Sequence, residues 1–289
     1  MRAAALLLVI ACWAPPSHAG AEDVPGPVDT RLAEAARRGD LPTVRALVRA
    51  GVDVDAPSAD GTPALHWVVR VQDTETARML LRAGADVDRA NRYGLRPLHI
   101  AIDNMDVEMI RLLLEAGADA NSSDATGETS LMMAARTGSV AAVSMLLDAG
   151  AHADGRDPHY RQTPLMLAAR GGHLDVARLL IQRGADVNAR TRTGQTPAFR
   201  LPSSNTGSKG EGIIRGGWPE RGERDPTPGA KTPLLYAARD GHLELARLLL
   251  DSGAALELAD ADGVTPLLIA ILNERLSLAR HLVDQGANV

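Results

Sequence analysis

The 289 residues carry 31 basic and 36 acidic side chains, a net charge of −5, and only 2% aromatic residues, with a single Phe. A mildly acidic chain gives no general case for nucleic-acid binding, and so few aromatics leave little to line a deep ligand pocket. The one cysteine, Cys12, stands within an apolar leader, so the chain beyond it can form no internal disulfide and no cysteine-ligated metal site.

Residues 1–19 combine Arg2, an apolar run from Ala3 to Trp13 and a small-x-small end at Ser17-His18-Ala19. That pattern predicts a secretory signal peptide cleaved after Ala19, with export to a periplasm or the medium. The apolar run is too short to cross a bilayer as a helix. Val9-Ile10-Ala11-Cys12 also resembles a bacterial lipobox, which gives an alternative: a lipoprotein anchored to a membrane through Cys12. Residues 20–28, with Pro25-Gly26-Pro27, read as a short flexible lead-in.

From residue 29 onward one pattern recurs. Its clearest copy runs from Thr163 to Asn188: Thr163 to cap a helix, Pro164 at the first helical position, and the small pair Ala168-Ala169. Gly172 follows as a break, then Leu174, Ala177, Leu180 and Ile181 at helical spacing, then Gly184 as a stop. The anchor leucine returns as Leu32, Leu65, Leu98, Leu131, Leu165, Leu234 and Leu267, at spacings of 33, 33, 33, 34, 69 and 33. Helix pairs at such a period cannot bury their apolar faces alone, so they must stack as a solenoid. Met105 stands where an inter-helix glycine is expected, Pro63-Ala64 where Thr-Pro is expected and Ser130 where proline is expected; each is expected to weaken a turn or cap slightly.

The spacing of 34 places one extra residue in the hairpin around Asp157-Pro158-His159-Tyr160. The spacing of 69 exceeds one period of 33 by 36 residues, which predicts a long loop insertion at 198–230, rich in Gly, Pro, Ser and charge. The predicted fold is an all-α solenoid of about seven repeats: 29–57, 58–90, 91–123, 124–156, 157–190, 191–259 with the insertion, and an incomplete 260–289. The sequence stops at Gly286-Ala287-Asn288-Val289, midway through the hairpin of a further repeat, which reads as a truncated chain; otherwise the last repeat would leave an apolar flank uncapped.

The motifs Thr163-Pro164-Leu165, Thr232-Pro233-Leu234, Thr265-Pro266-Leu267 and Arg96-Pro97-Leu98-His99, with Gly84-Ala85-Asp86-Val87 and Gly184-Ala185-Asp186-Val187-Asn188, resemble the ankyrin repeat. The resemblance implies a non-catalytic scaffold that binds another protein through a concave side built from hairpin tips and first helices. It also implies that His66 and His99 brace their hairpins. Carried onto this chain, the tips include Arg92, Tyr93, His159, Tyr160 and Arg192. The first-helix ends include Arg70, Arg136, Arg170 and Arg239, which stacking would align, with Arg37, into a basic stripe interrupted at Asp103. Such a stripe suits an acidic partner, although arginine near a helix end also serves the helix dipole and local ion pairs. Trp218, beside Ile213-Ile214 in the insertion, joins Tyr93 and Tyr160 as an aromatic anchor candidate.

No constellation for catalysis stands out. The histidines lie a repeat apart with no His-x-x-x-His, and Ser208-Lys209 lacks the spacing and strand of a phosphate loop. The reading is therefore a monomeric protein-binding scaffold, with no enzyme activity, cofactor, metal or nucleic acid expected. The alternative is an interaction module of a longer or lipid-anchored protein whose activity lies elsewhere.

Overall fold

The computed structural model describes residues 29–193 and 229–289. The expected signal peptide, Cys12, the expected lead-in, Trp218 and most of the expected insertion lie outside these residues.

Seven helix pairs follow one another: α1 (Arg31–Arg37) with α2 (Leu41–Arg49), α3 (Ala64–Arg70) with α4 (Thr74–Arg82), α5 (Pro97–Asp103) with α6 (Val107–Glu115), and α7 (Ser130–Thr137) with α8 (Val140–Asp148). Then come α9 (Pro164–Gly171) with α10 (Leu174–Gln182), α11 (Pro233–Asp240) with α12 (Leu243–Asp251), and α13 (Pro266–Leu272) with α14 (Leu276–Asp284). Among the described residues no strand forms; an isolated antiparallel bridge joins Ser123 and Thr129. First helices pack on first helices in one row, second helices on second helices in another, and each pair packs internally. The result is a two-layer stack in which helices too short to be stable alone are held by their neighbours.

Local chemistry sets each boundary. Thr129, Thr163, Thr232 and Thr265 accept the N–H three residues on, and Pro164, Pro233 and Pro266 occupy the first helical position, where no donor is needed. Asp40, Asp73, Asp106 and Ser139 cap the second helices of the first four pairs. The anchor leucines from Leu32 to Leu234 are 0–1% exposed and Leu267 4%, and they belong to one continuous core.

Between pairs the chain makes hairpins closed by Asx turns. Asn91, Asp124 and Asp260 each accept the backbone N–H groups two and four residues on, and Asp157 accepts those of His159, Tyr160 and Gln162. A ladder of side-chain-to-backbone bonds then ties each hairpin to the next. Asp86 N–H donates to Asp55, Asp119 to Asp88, His152 to Asn121, Asp186 to Asp154, Ala255 to Asn188, and Asn288 to Glu257, all at 2.8–3.1 Å.

The Asn188 rung spans the wide gap in the period. Asn188 also donates to the Gly253 carbonyl at 3.0 Å, and α9 and α10 pack directly on α11 and α12. The hairpin here is closed by Thr191, whose N–H donates to the Lys231 carbonyl at 3.0 Å while its Oγ1 accepts the Lys231 N–H at 2.9 Å. Partners closing the hairpin at Ser58 are four residues apart; Thr191 and Lys231 are forty apart. The difference, 40 − 4, is 36 residues, the excess counted from the leucine spacing. The described chain therefore breaks off after Thr193 and resumes at Gly229 beside a hairpin closure, not within a helix. The expected 198–230 lies inside the interval from Thr191 to Lys231.

One expectation is corrected. Ser130 does not weaken its hairpin. Its N–H donates to the Ser122 carbonyl at 2.9 Å and its hydroxyl to the same oxygen at 3.2 Å, both bonds that proline would lack. At the far end, Leu268 and Ile271 are 43% and 49% exposed, whereas their counterparts in the preceding pair, Leu235 and Ala238, are 1% and 0% exposed.

Candidate functional site

The first-helix row and the hairpin tips make one continuous face. Tip meets tip along the stack: Arg192 N–H donates to the Tyr160 carbonyl at 2.8 Å, and a side chain at Gly127 would run into the Pro158 ring. Tyr93 is 47% exposed and Tyr160 43%. Tyr93 is held by its neighbour: the Arg92 guanidinium lies 5.0 Å from the ring centroid and donates to the phenol oxygen at 2.8 Å. His159 sits on the same tip as Tyr160 and is half-buried.

Arg37, Arg70, Arg136, Arg170 and Arg239 each stand in the last turn of their first helix, but not as a ladder of free guanidinium groups. Arg37 pairs with Glu34 at 2.9 Å. Arg70 lies 6.0 Å from the centroid of the Trp67 ring. Arg136 bridges Glu128 at 3.0 Å and Asp103 of the preceding pair at 3.5 Å. Arg239 forks onto Asp240 and covers Tyr236 at 5.3 Å. Arg170 is exposed and makes no ion pair with any described residue. Burial lifts the Asp103 and Glu128 carboxyls above the usual carboxylate range, against the pull of Arg136. Their side chains are partly solvated, so the bridge contributes little to stability and mainly sets the local charge.

Sequence reasoning missed a second column. The residue just before the first-helix cap is Glu128, Gln162 and Lys231 in the fourth, fifth and sixth pairs, and all three reach this face. Glu128 takes Arg136, Gln162 donates to the Tyr236 hydroxyl at 3.3 Å, and the Lys231 ammonium lies 5.6 Å from the Tyr236 ring. The repeat register located these positions; what it could not show was that their side chains reach Arg136 and Tyr236.

The face is braced from below by histidine. His99 Nδ1 accepts the Arg96 N–H at 3.3 Å, so Nε2 carries the proton and donates to Ser122 Oγ at 3.2 Å. That hydroxyl donates to Ser130 Oγ at 3.0 Å, which returns to the Ser122 carbonyl. The chain of donors is complete and joins two repeats. His66 Nε2 donates to the Leu95 carbonyl at 2.9 Å, but its Nδ1 is buried without a partner. The cause is local: the residue matching Arg96 is Pro63, which has no N–H. Burial holds both imidazoles down at about 4. His173 and His242 instead reach back to the Arg136 and Arg170 carbonyls at 3.0 and 3.3 Å.

The family model for ankyrin repeats, in three-copy form, matches residues 32–124, 117–191 and 215–289. The chain belongs to the ankyrin-repeat family. Ankyrin repeats generally mediate protein–protein interaction and are typically non-catalytic scaffolds. A search among curated proteins finds none that matches this chain. Among the described residues no group of three or more His, Cys, Asp or Glu is placed to hold a metal, and no helix is long and apolar enough to cross a membrane.

Proposed function

We propose that this ankyrin-repeat chain binds another protein through the face made by its first-helix ends and hairpin tips. The observation that carries the reading is the pair Tyr93 and Tyr160, each nearly half exposed, on tips of one row. Rigid aromatic side chains of this kind are common anchors of interfaces. Arg92, Arg170 and Arg192 add cationic character around them, His159 adds a half-buried ring on the same tip, and Arg70, Arg136 and Arg239 are held in fixed geometry by Trp67, Glu128 and Tyr236. The seven pairs are read as seven repeats and the excursion between Thr191 and Lys231 as an insertion.

The test compares baits. Wild-type protein and the double variant Tyr93→Ala/Tyr160→Ala are immobilised, and proteins retained from the native extract are identified by mass spectrometry. A partner held by wild type and lost by the variant is expected; a partner retained equally by both sinks the reading. Export is proposed from the leader at 1–19, and the mass of the mature N-terminus distinguishes cleavage after Ala19 from lipidation at Cys12.

A further inference from the structure

The row of second helices carries a charge pattern that stacking does not require. At their last residue, Arg49 and Arg82 in the first two pairs give way to Glu115, Asp148, Asp251 and Asp284 in later ones. Cations at a helix C-terminus complement its dipole, which accounts for Arg82 by itself. It does not account for Arg78, four residues earlier on the same face, since like charges at that spacing cost a few tenths of a kcal/mol. Arg111 on α6 extends the patch.

These arginines are also unneutralised. Elsewhere in the row, Arg45 is held by Asp73 at 2.9 Å, Arg183 by Asp148 at 2.9 Å and Arg247 by Glu244 at 2.8 Å. Arg49, Arg78, Arg82 and Arg111 are exposed and make no ion pair or side-chain hydrogen bond with any described residue. Between α4 and α6 lies an open, shallow groove of about 350 Å³ lined by Arg78, Leu81, Arg82, Leu112, Glu115 and Ala116.

We propose that this groove is a second docking surface, in the opposite layer from the first-helix face, for an acidic protein segment. The segment seats one aliphatic side chain on Leu81 and Leu112 while its carboxylates take Arg78 and Arg82. Charge complementarity selects the occupant: the patch is basic on a chain whose net charge is −5, so the whole molecule repels a large anion while the groove accepts a short one. A nucleic acid is disfavoured because the groove offers no aromatic platform for bases.

The probe is a fluorescein-labelled peptide of glutamates around a single central leucine, titrated by anisotropy at low salt. Saturable binding that weakens as salt rises is expected. The variant Arg78→Glu/Arg82→Glu should weaken it about tenfold or more, equivalent to ~1.4 kcal/mol. A peptide with glycine in place of leucine should also bind less tightly. Arg170→Glu, on the first-helix face, should leave this binding unchanged, which separates the outcome from that of the function proposed above. Circular dichroism checks that the variants, all at exposed positions, keep their helices. Equal binding by the Arg78→Glu/Arg82→Glu protein overturns the proposal, as does the absence of saturable binding to wild type. Tighter Arg78/Arg82-dependent binding to vesicles of anionic phospholipid than to the peptide overturns it in favour of a membrane surface.

Discussion

Met105 holds a left-handed backbone, φ 54°, at the turn between paired helices, where Gly39, Gly138, Gly172 and Gly241 stand in other pairs. Gln72 and Glu274 do the same at φ 60° and 59°. A side chain in that region is strained, so Met105→Gly is expected to raise unfolding free energy by about 0.5–1 kcal/mol in urea titration. The reverse change is not its mirror image. A Cβ added at Gly138 would lie 2.5 Å from Nδ1 of His173, which packs over that turn, so Gly138→Ala should destabilise by more than Met105→Gly stabilises.

His66 and His99 make stability depend on pH. Their folded values, about 4, lie below the ordinary 6.5, so between those limits the unfolded chain binds more protons than the folded one. Stability is therefore full above pH 6.5 and falls as pH drops toward 4, by up to about 3 kcal/mol for each ring. Asp103 and Glu128, whose carboxyls are raised, act in the opposite sense and offset part of the loss. Urea midpoints at pH 7 and pH 5 measure the net effect; an unchanged or higher midpoint at pH 5 contradicts it.

At the scale of the element, the start of α3 carries two linked defects. Proline has moved one residue early, to the cap position Pro63, and this removes both a capping side chain and the donor for His66 Nδ1. The double substitution Pro63→Thr with Ala64→Pro restores a hydroxyl for the first turn and an N–H for the imidazole. The expected gain is about 1–2 kcal/mol in urea unfolding, and the sign is what matters: no gain means Nδ1 is not the limiting defect. Ser130→Pro, which would bring that helix closer to the repeat pattern, should instead destabilise. It deletes the bonds to the Ser122 carbonyl and breaks the donor chain from His99. Resemblance to a pattern and local stability diverge because the hydrogen-bond partner sits across the hairpin, outside the motif.

On the scale of the whole molecule, the stack is continuous through the irregular repeat because the rung from Asn188 to Ala255 and the Thr191–Lys231 closure carry it across. Replacing residues 194–228 with a short glycine-containing turn is therefore expected to leave helical circular dichroism and the thermal midpoint within a few degrees of wild type. Loss of cooperative unfolding in that variant would mean the excursion is a structural part of the stack. If the variant folds but loses the partner retained through Tyr93 and Tyr160, the excursion belongs to the binding face.

Much of this architecture was legible because a solenoid repeats its constraints. The leucine period, the threonine caps and the glycine stops are local, so spacing placed the helix pairs. The arginines at first-helix ends were placed as well, since register determines which residues share a face. Their state was not legible. That Arg136 would be claimed by Glu128 and Asp103, Arg239 by Asp240 and Tyr236, and Arg170 and the Arg78–Arg82 pair by no described acid depends on which side chains the stack brings within a few ångströms. Periodicity in one chain determines what lies beside what along the row; only the packed hairpins and helices decide which charges meet, because ion pairs and buried hydrogen bonds turn on distance and desolvation rather than on sequence separation.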